Sequence, residues 1–181
     1  MRSEFAVPAD LDPVTRHPKA AKPGEPVGMH NATCYGCGDR SPHGLNIVNI
    51  AGEGFTVHAD MRVEPWMEGG PGVIHGGLLS TAFDEVMGAV PKLVAGAAVT
   101  GHLEIDYLKP VPVGSVVRID AELLGMKGRK IYTKGVAHLV DSDEPLAISH
   151  ALFITIKGRE HFSAYVENSQ AADEYRPYFA P

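Results

Sequence analysis

Residues 71–91, PGVIHGGLLSTAFDEVMGAVP, constrain the fold more than any other stretch. Taken at about 100° per residue, Leu78, Leu79, Ala82, Phe83, Val86, Met87 and Val90 spread over one broad apolar face. The pattern predicts a helix over about residues 76–90, ended by Pro91. A helix this apolar has to be enclosed on most of its circumference. Few elements are left over to enclose it except strands.

The strands read from the alternation around it. GFTVHADMRV (54–63) puts Phe55, Val57, Ala59, Met61 and Val63 on one face, and LNIVNI (45–50) is a short β-rich run before it. Four more runs follow the helix, at 98–110, 115–126, 130–140 and 145–157. In the first of these, Leu103, Ile105 and Tyr107 share one face and Thr100, His102, Glu104 and Asp106 the other. The links PVPVG, KGR and DSDE are short, which makes the strands antiparallel neighbours. One long helix and about six antiparallel strands are best reconciled by wrapping the sheet around the helix, an α+β arrangement. Residues 1–33 hold no sustained period and read as an extended or partly disordered arm. Residues 34–158 form the domain, and 159–181 a tail with a short amphipathic helix over a sheet edge or a partner.

Composition excludes several classes. The 181 residues are 44% hydrophobic and 21% charged, enough for one domain with a sizeable core. A net charge of −6 gives no general attraction to nucleic acid or to an anionic membrane. The N-terminus has no apolar run of signal-peptide length, and Pro91 and Lys92 break the longest apolar tract, so the expectation is a soluble cytoplasmic protein. Two cysteines cannot make a disulfide framework.

The chemistry sits on the same helix. Asp84 shares a stripe with Gly77, Ser80, Thr81 and Gly88, all small enough for a backbone or a ligand to come close. Either this stripe faces water and Asp84 is solvated, or Asp84 is partly desolvated and basic towards a substrate proton. Glu85 is turned away by about 100° and reads as a structural or interface carboxylate, with a catalytic role as the lesser alternative. His75-Gly76-Gly77 leaves backbone N–H groups at a helix start, where they can polarise a carbonyl oxygen. Eight residues separate Gly76 from Asp84, about 12 Å along a helix. One carbonyl cannot meet both on one chain, so the sequence predicts a dimer with helices facing across the site.

GGPGVIHGGLLSTAFDEVMG resembles the motif of hotdog-fold acyl-CoA thioesterases, in the PaaI-like branch of the 4-hydroxybenzoyl-CoA thioesterase superfamily. TGHLEIDYLKPVPVGS (100–115) resembles the strand after the helix in that family, and residues 128–156 its last hairpin. CYGCGDRSPHGLNI (34–47) is similar to the Cys-x-x-Cys-Gly lead-in of one sub-branch. The resemblance implies a hotdog fold and hydrolysis of an acyl-CoA thioester. It implies Asp84 as base or nucleophile, Gly76 as main oxyanion donor with Gly77 the lesser, His75 orienting the loop or binding substrate, and Thr100 placing the water. Some relatives carry Asn or Gln upstream of the His, where this chain reads Glu68-Gly69-Gly70. Glu68, Trp66, Ser80 and Thr81 are the further substrate-binding candidates. No cofactor is called for. A homodimer pairing into a homotetramer is expected.

Two further groups stand out. His30, Cys34, Cys37 and His43 have the count of a tetrahedral zinc site, but the spacings match no common finger. A lead-in packed beside the sheet, without metal, is the expectation. Arg129 and Lys130, with Lys127 and Lys109, sit at turns and are candidates for the coenzyme A phosphates. Two alternatives to a thioesterase stay open: a hotdog hydratase or dehydratase acting on acyl thioesters, and a non-catalytic acyl-CoA-binding protein.

Overall fold

The computed structural model describes residues 5–179; residues 1–4 of the expected arm and the last two of the tail lie outside it. The strands are β1 (Ile50–Ala51), β2 (Thr56–Arg62), β3 (Ala98–Tyr107), β4 (Val116–Lys127), β5 (Lys130–Leu139) and β6 (Pro145–Thr155). They form one antiparallel sheet in the order β1-β2-β4-β5-β6-β3. The helix α1 (Gly76–Ala89) links β2 to β3 and lies within the curve of the sheet. This is the hotdog arrangement, and its core is the apolar face read from the sequence: Leu79, Phe83, Val86 and Met87 are all but fully buried.

The sheet closes tightly on α1 because β5 carries Gly135 opposite it. A Cβ there would meet Met87 Sδ at 2.9 Å and Phe83 Cδ1 at 3.0 Å, so the missing side chain sets how closely the two elements approach. After α1 the chain makes a 3-10 turn over Val90–Leu93, with Pro91 ending the α-helical hydrogen bonding as expected.

The structure refines three stretches. Residues 45–50 alternate in burial like a strand, but most do not join the sheet. They run along the lead-in instead: Leu45 N–H donates to Tyr35 O, Ile47 N–H to Gly36 O, and Val27 N–H to Asn49 O. Only Ile50 and Ala51 pair with β2. The arm is extended, as read, and its described part is ordered against the domain, with Asp12 N–H donating to Met126 O and His17 N–H to Leu93 O. The tail holds two helices, α2 (Gly158–Phe162) and α3 (Ala172–Phe179), with a 3-10 stretch between them. Arg40 ties α3 to the lead-in through two 2.7 Å hydrogen bonds to Glu174.

β3 is an edge strand ten residues long, paired on one side only, with β6. A long unpaired edge is a template for another chain. Among the described residues no helix is long and apolar enough to cross a membrane.

Candidate active site

The start of α1 is built by His75. Its imidazole Nδ1 accepts from Gly77 N–H at 3.0 Å, which caps the helix. Gly77 is thereby engaged, and among the described residues nothing accepts from the exposed Gly76 N–H. The two oxyanion candidates therefore differ, and Gly76 is the one with an open donor. Ser80 and Thr81 return their hydroxyls to the preceding turn, Ser80 Oγ to Gly76 O at 3.0 Å and Thr81 Oγ1 to Gly77 O at 2.9 Å. Glu68 closes its own loop by accepting from Gly72 N–H at 2.6 Å. Each of these groups keeps acceptor capacity beyond that one bond, and all three side chains are partly or fully exposed. Trp66 is 53% exposed on the Pro65–Met67 turn.

Tyr107 was not singled out by the sequence reading. Its hydroxyl donates to Gly76 O at 2.9 Å and lies 2.5 Å from Ser80 Oγ, so β3 grips the first turn of α1. The signal was present: Tyr107 alternates with Leu103 and Ile105, the strand face turned towards the helix. Beside it, a groove of about 340 Å³ is lined by Gly76, Leu79, Tyr107, Leu108 and Val111.

Two turns further along α1, Thr100 Oγ1 donates to Asp84 Oδ1 at 2.7 Å. Simple alternation puts Thr100 on the outer face with His102, yet here it faces the helix. The pairing of β3 with β6 slips between Thr100 and His102, where Thr100 opposes Phe153 and His102 opposes Leu152. The extra residue, Gly101, reverses the side-chain order. Thr100 thus joins Leu103, Ile105 and Tyr107, while His102 stays outside and stacks on Phe5. Asp84 is half-buried, and its second oxygen has no protein partner among the described residues.

Glu85, one residue on, is buried at 5% exposure and belongs to a different cluster. Its Oε2 lies 3.2 Å from His30 Nδ1 and 3.7 Å from Cys34 Sγ, and its Oε1 accepts from Asn49 Nδ2 at 3.0 Å. Cys37 Sγ is 3.4 Å from His30 Nδ1. His43, the fourth member expected from spacing, is exposed and outside the group. Hydrogen bonds from Cys37 and His30 hold the Cys34 thiol well below its ordinary range. The Cys34 sulfur and the Glu85 carboxylate push His30 up to about 9.

The basic turns do not make one patch. Lys109 follows β3 at its Tyr107 end and pairs with Glu144, while Lys127, Arg129 and Lys130 lie at the Thr100 end, where Lys130 opposes Ile154. Ten extended residues, about 33 Å, separate the two ends. Lys127 is held by Asp10 and Asp12. Arg129 lines a cavity of about 620 Å³ with Thr155, Lys157, Glu160 and His161; Lys130 stands exposed outside it. A third cavity, about 520 Å³, lies between the end of α1 and the tail, lined by Gly88, Lys92, Ala98, Phe162 and Tyr165 among others.

Residues 71–145 match the family model described as Thioesterase superfamily. Acyl-coenzyme A thioesterase THEM4 of Xenopus laevis is 36% identical over 92 residues, 51% of this chain and 41% of that protein. The chain thus spans about two fifths of the length of that relative. Among solved structures, a thioesterase superfamily protein superimposes with a TM-score of 0.64 at 22% identity, over 68% of this chain and 61% of the other. The smu.793 protein of Streptococcus mutans, solved bound to acetyl CoA, gives a TM-score of 0.56 at 20% identity, over 61% and 89%. These likenesses carry the fold; the family match adds the stretch from the Gly/Pro loop through α1 to the last hairpin. Over residues 71–145 the chain is similar to the thioesterase superfamily.

Proposed function

We propose that this protein hydrolyses an acyl-CoA thioester to the free acid and coenzyme A, in a site that two subunits complete. The observation that carries the proposal is the 2.7 Å bond from Thr100 to Asp84. It holds one carboxylate oxygen and leaves the other for water. A hydratase reading calls for an imidazole beside the acid, whereas among the described residues the hydrogen-bonding partner of Asp84 is a hydroxyl. The His-Gly-Gly to Asp spacing supports the PaaI-like branch. A relative named acyl-coenzyme A thioesterase and a structural neighbour bound to acetyl CoA support the substrate class.

In the proposed reaction Asp84 takes a proton from water as the oxygen adds to the thioester carbon. The oxyanion is held by Gly76 N–H at the positive end of α1 of the second subunit. Collapse breaks the C–S bond, and the thiolate leaves with the proton returned from Asp84. Thiolate is a good leaving group, because its conjugate acid has a pKa of about 8.5. The alternative, Asp84 as nucleophile, uses the same atoms through an acyl-aspartyl intermediate. The unpaired edge of β3, which carries Thr100 and Tyr107, supports a dimer joined along that edge, with pairs of dimers forming a tetramer.

Complementation tests the shared site. Gly76→Pro removes the N–H, while proline suits the first position of a helix and His75 already has the extended backbone that precedes proline. Alone, the variant is expected to lose about 10²–10³ in kcat. A refolded equal mixture of Gly76→Pro and Asp84→Asn chains should regain about a quarter of wild-type activity, because half the dimers are mixed and each then holds one intact site. No recovery despite proven subunit exchange would place both groups in one chain and sink the shared site. Thr100→Val is expected to lower kcat about ten- to hundredfold with KM little changed, and Thr100→Ser to restore most of it. Equal loss in both variants would remove the hydroxyl from the mechanism.

A further inference from the structure

Glu85 is a carboxylate buried in the middle of the core helix; among the described residues its ion-pair partner is His30, 3.2 Å away, and no Lys or Arg side chain hydrogen-bonds it. Burying such a charge is costly unless a cation compensates it. The groups around it are two sulfurs and an imidazole, brought from a loop that has no regular structure. One ligand atom from each of His30, Cys34, Cys37 and Glu85 lies within 4.8 Å of all the others.

The separations fit a coordination shell. A tetrahedral ion with bonds of about 2.0–2.3 Å has ligand-to-ligand edges of roughly 3.3–3.8 Å. Three of the six edges here are 3.2 Å from His30 Nδ1 to Glu85 Oε2, 3.4 Å from Cys37 Sγ to His30 Nδ1 and 3.7 Å from Cys34 Sγ to Glu85 Oε2, and the other three lie within 4.8 Å. We propose that His30 Nδ1, Cys34 Sγ, Cys37 Sγ and Glu85 Oε2 bind one Zn²⁺ that clamps the N-terminal lead-in onto the central helix.

The surroundings orient each ligand. Asn49 Nδ2 holds Glu85 Oε1 at 3.0 Å and turns Oε2 into the cluster, the kind of outer contact that metal ligands require. His30 backbone N–H donates to Cys37 Sγ at 3.1 Å, and the backbone N–H groups of Cys37 and Gly36 point to Cys34 Sγ. Gly36 is needed at this point, since a Cβ would stand 2.3 Å from Glu85 Oε2. Two thiolates, one imidazole and one carboxylate suit borderline-soft zinc. The set carries three negative charges against two on the ion, and the half-buried Lys92, whose field acts on Cys37, Glu85 and Cys34, supplies the remaining positive one. Binding requires both sulfurs as thiolates and the imidazole neutral at its coordinating nitrogen, so uptake depends on pH. Four protein ligands close the shell, so the ion is structural and leaves no position for water or substrate. The rival is a Cys34–Cys37 redox pair. A thiol count and a cobalt titration separate the two.

The test is made on the full chain and does not depend on hydrolysis. Protein purified from zinc-supplemented medium is assayed for metal by mass spectrometry and for free thiols after denaturation. About one zinc per chain and two reduced thiols are expected. Chelator-stripped protein should melt about 5 °C or more lower, and regain its Tm with Zn²⁺. Reduced apoprotein titrated with Co²⁺ should show sulfur-to-cobalt charge transfer and the intense visible bands of a tetrahedral ion. Cys34→Ser and Cys37→Ser should each abolish the charge-transfer signal or reduce it strongly. Glu85→Gln should keep both sulfur ligands and weaken Co²⁺ binding about tenfold or more. Should a cysteine variant fail to fold, the wild-type cobalt titration still decides. A wild-type chain with reduced thiols that takes up neither zinc nor cobalt overturns the proposal. So does a purified chain whose two cysteines are joined as a disulfide and whose reduction leaves it metal-free.

Discussion

Asp84→Asn is expected to lower kcat for acyl-CoA hydrolysis by about 10²–10⁴, with KM changed much less. Asparagine keeps the size of the side chain and can still accept from Thr100 Oγ1, whose bond to Asp84 is 2.7 Å long. What it loses is the ability to take a proton from water or to attack the thioester. Loss of kcat with unchanged packing therefore isolates the chemistry from the fold. The measurement is release of coenzyme A in a thiol-trapping assay across aromatic, medium and long acyl-CoAs. A thermal melt matching wild type shows that the fold is intact. Wild-type turnover of every substrate in this variant would falsify the assignment. It would move the proton transfer to a group other than Asp84. The stretch that matches the thioesterase family model, residues 71–145, includes α1.

Phe83→Ala is expected to destabilise the folded state by about 3–5 kcal/mol. Phe83 has no exposed surface and faces Gly135 across the core. Removing its ring takes away the transfer term and leaves a cavity that the sheet cannot collapse into, because neighbouring strands are held by their ladders. For a chain of this length the loss corresponds to a Tm roughly 6–20 °C lower. Urea unfolding at fixed protein concentration is the check, since subunit association adds to apparent stability. A change below about 1 kcal/mol would mean that α1 is not enclosed as described. The two substitutions are adjacent in sequence and opposite in effect. Phe83 belongs to the enclosed face of α1, and Asp84 to the face left open beside β3.

The division between these faces was legible in the residues. The apolar set on α1, the strand alternation and the short antiparallel links led to a sheet wrapped around one helix. Pro91 ends the helix where the periodicity stops. Asp84 on a stripe of small residues could be read as solvated or as presented to a ligand. The Asp84→Asn measurement decides between them. Spacing misled in two places. A residue inserted in β3 turned Thr100 inward, against its alternation with His102. The metal-like spacing of His30, Cys34, Cys37 and His43 named three of the four grouped residues, but the fourth is Glu85.

Periodicity is local, and so the sequence by itself determined what local periodicity can carry: which face of each element is apolar, where the helix starts and stops, and that a bare Gly-Gly follows His75. Tertiary structure alone decided which distant groups meet. Tyr107 reaching Gly76 and a lead-in loop reaching Glu85 are contacts over 31 residues and over about 50. Such contacts depend on register and on chain crossings, and a single inserted residue can reverse them.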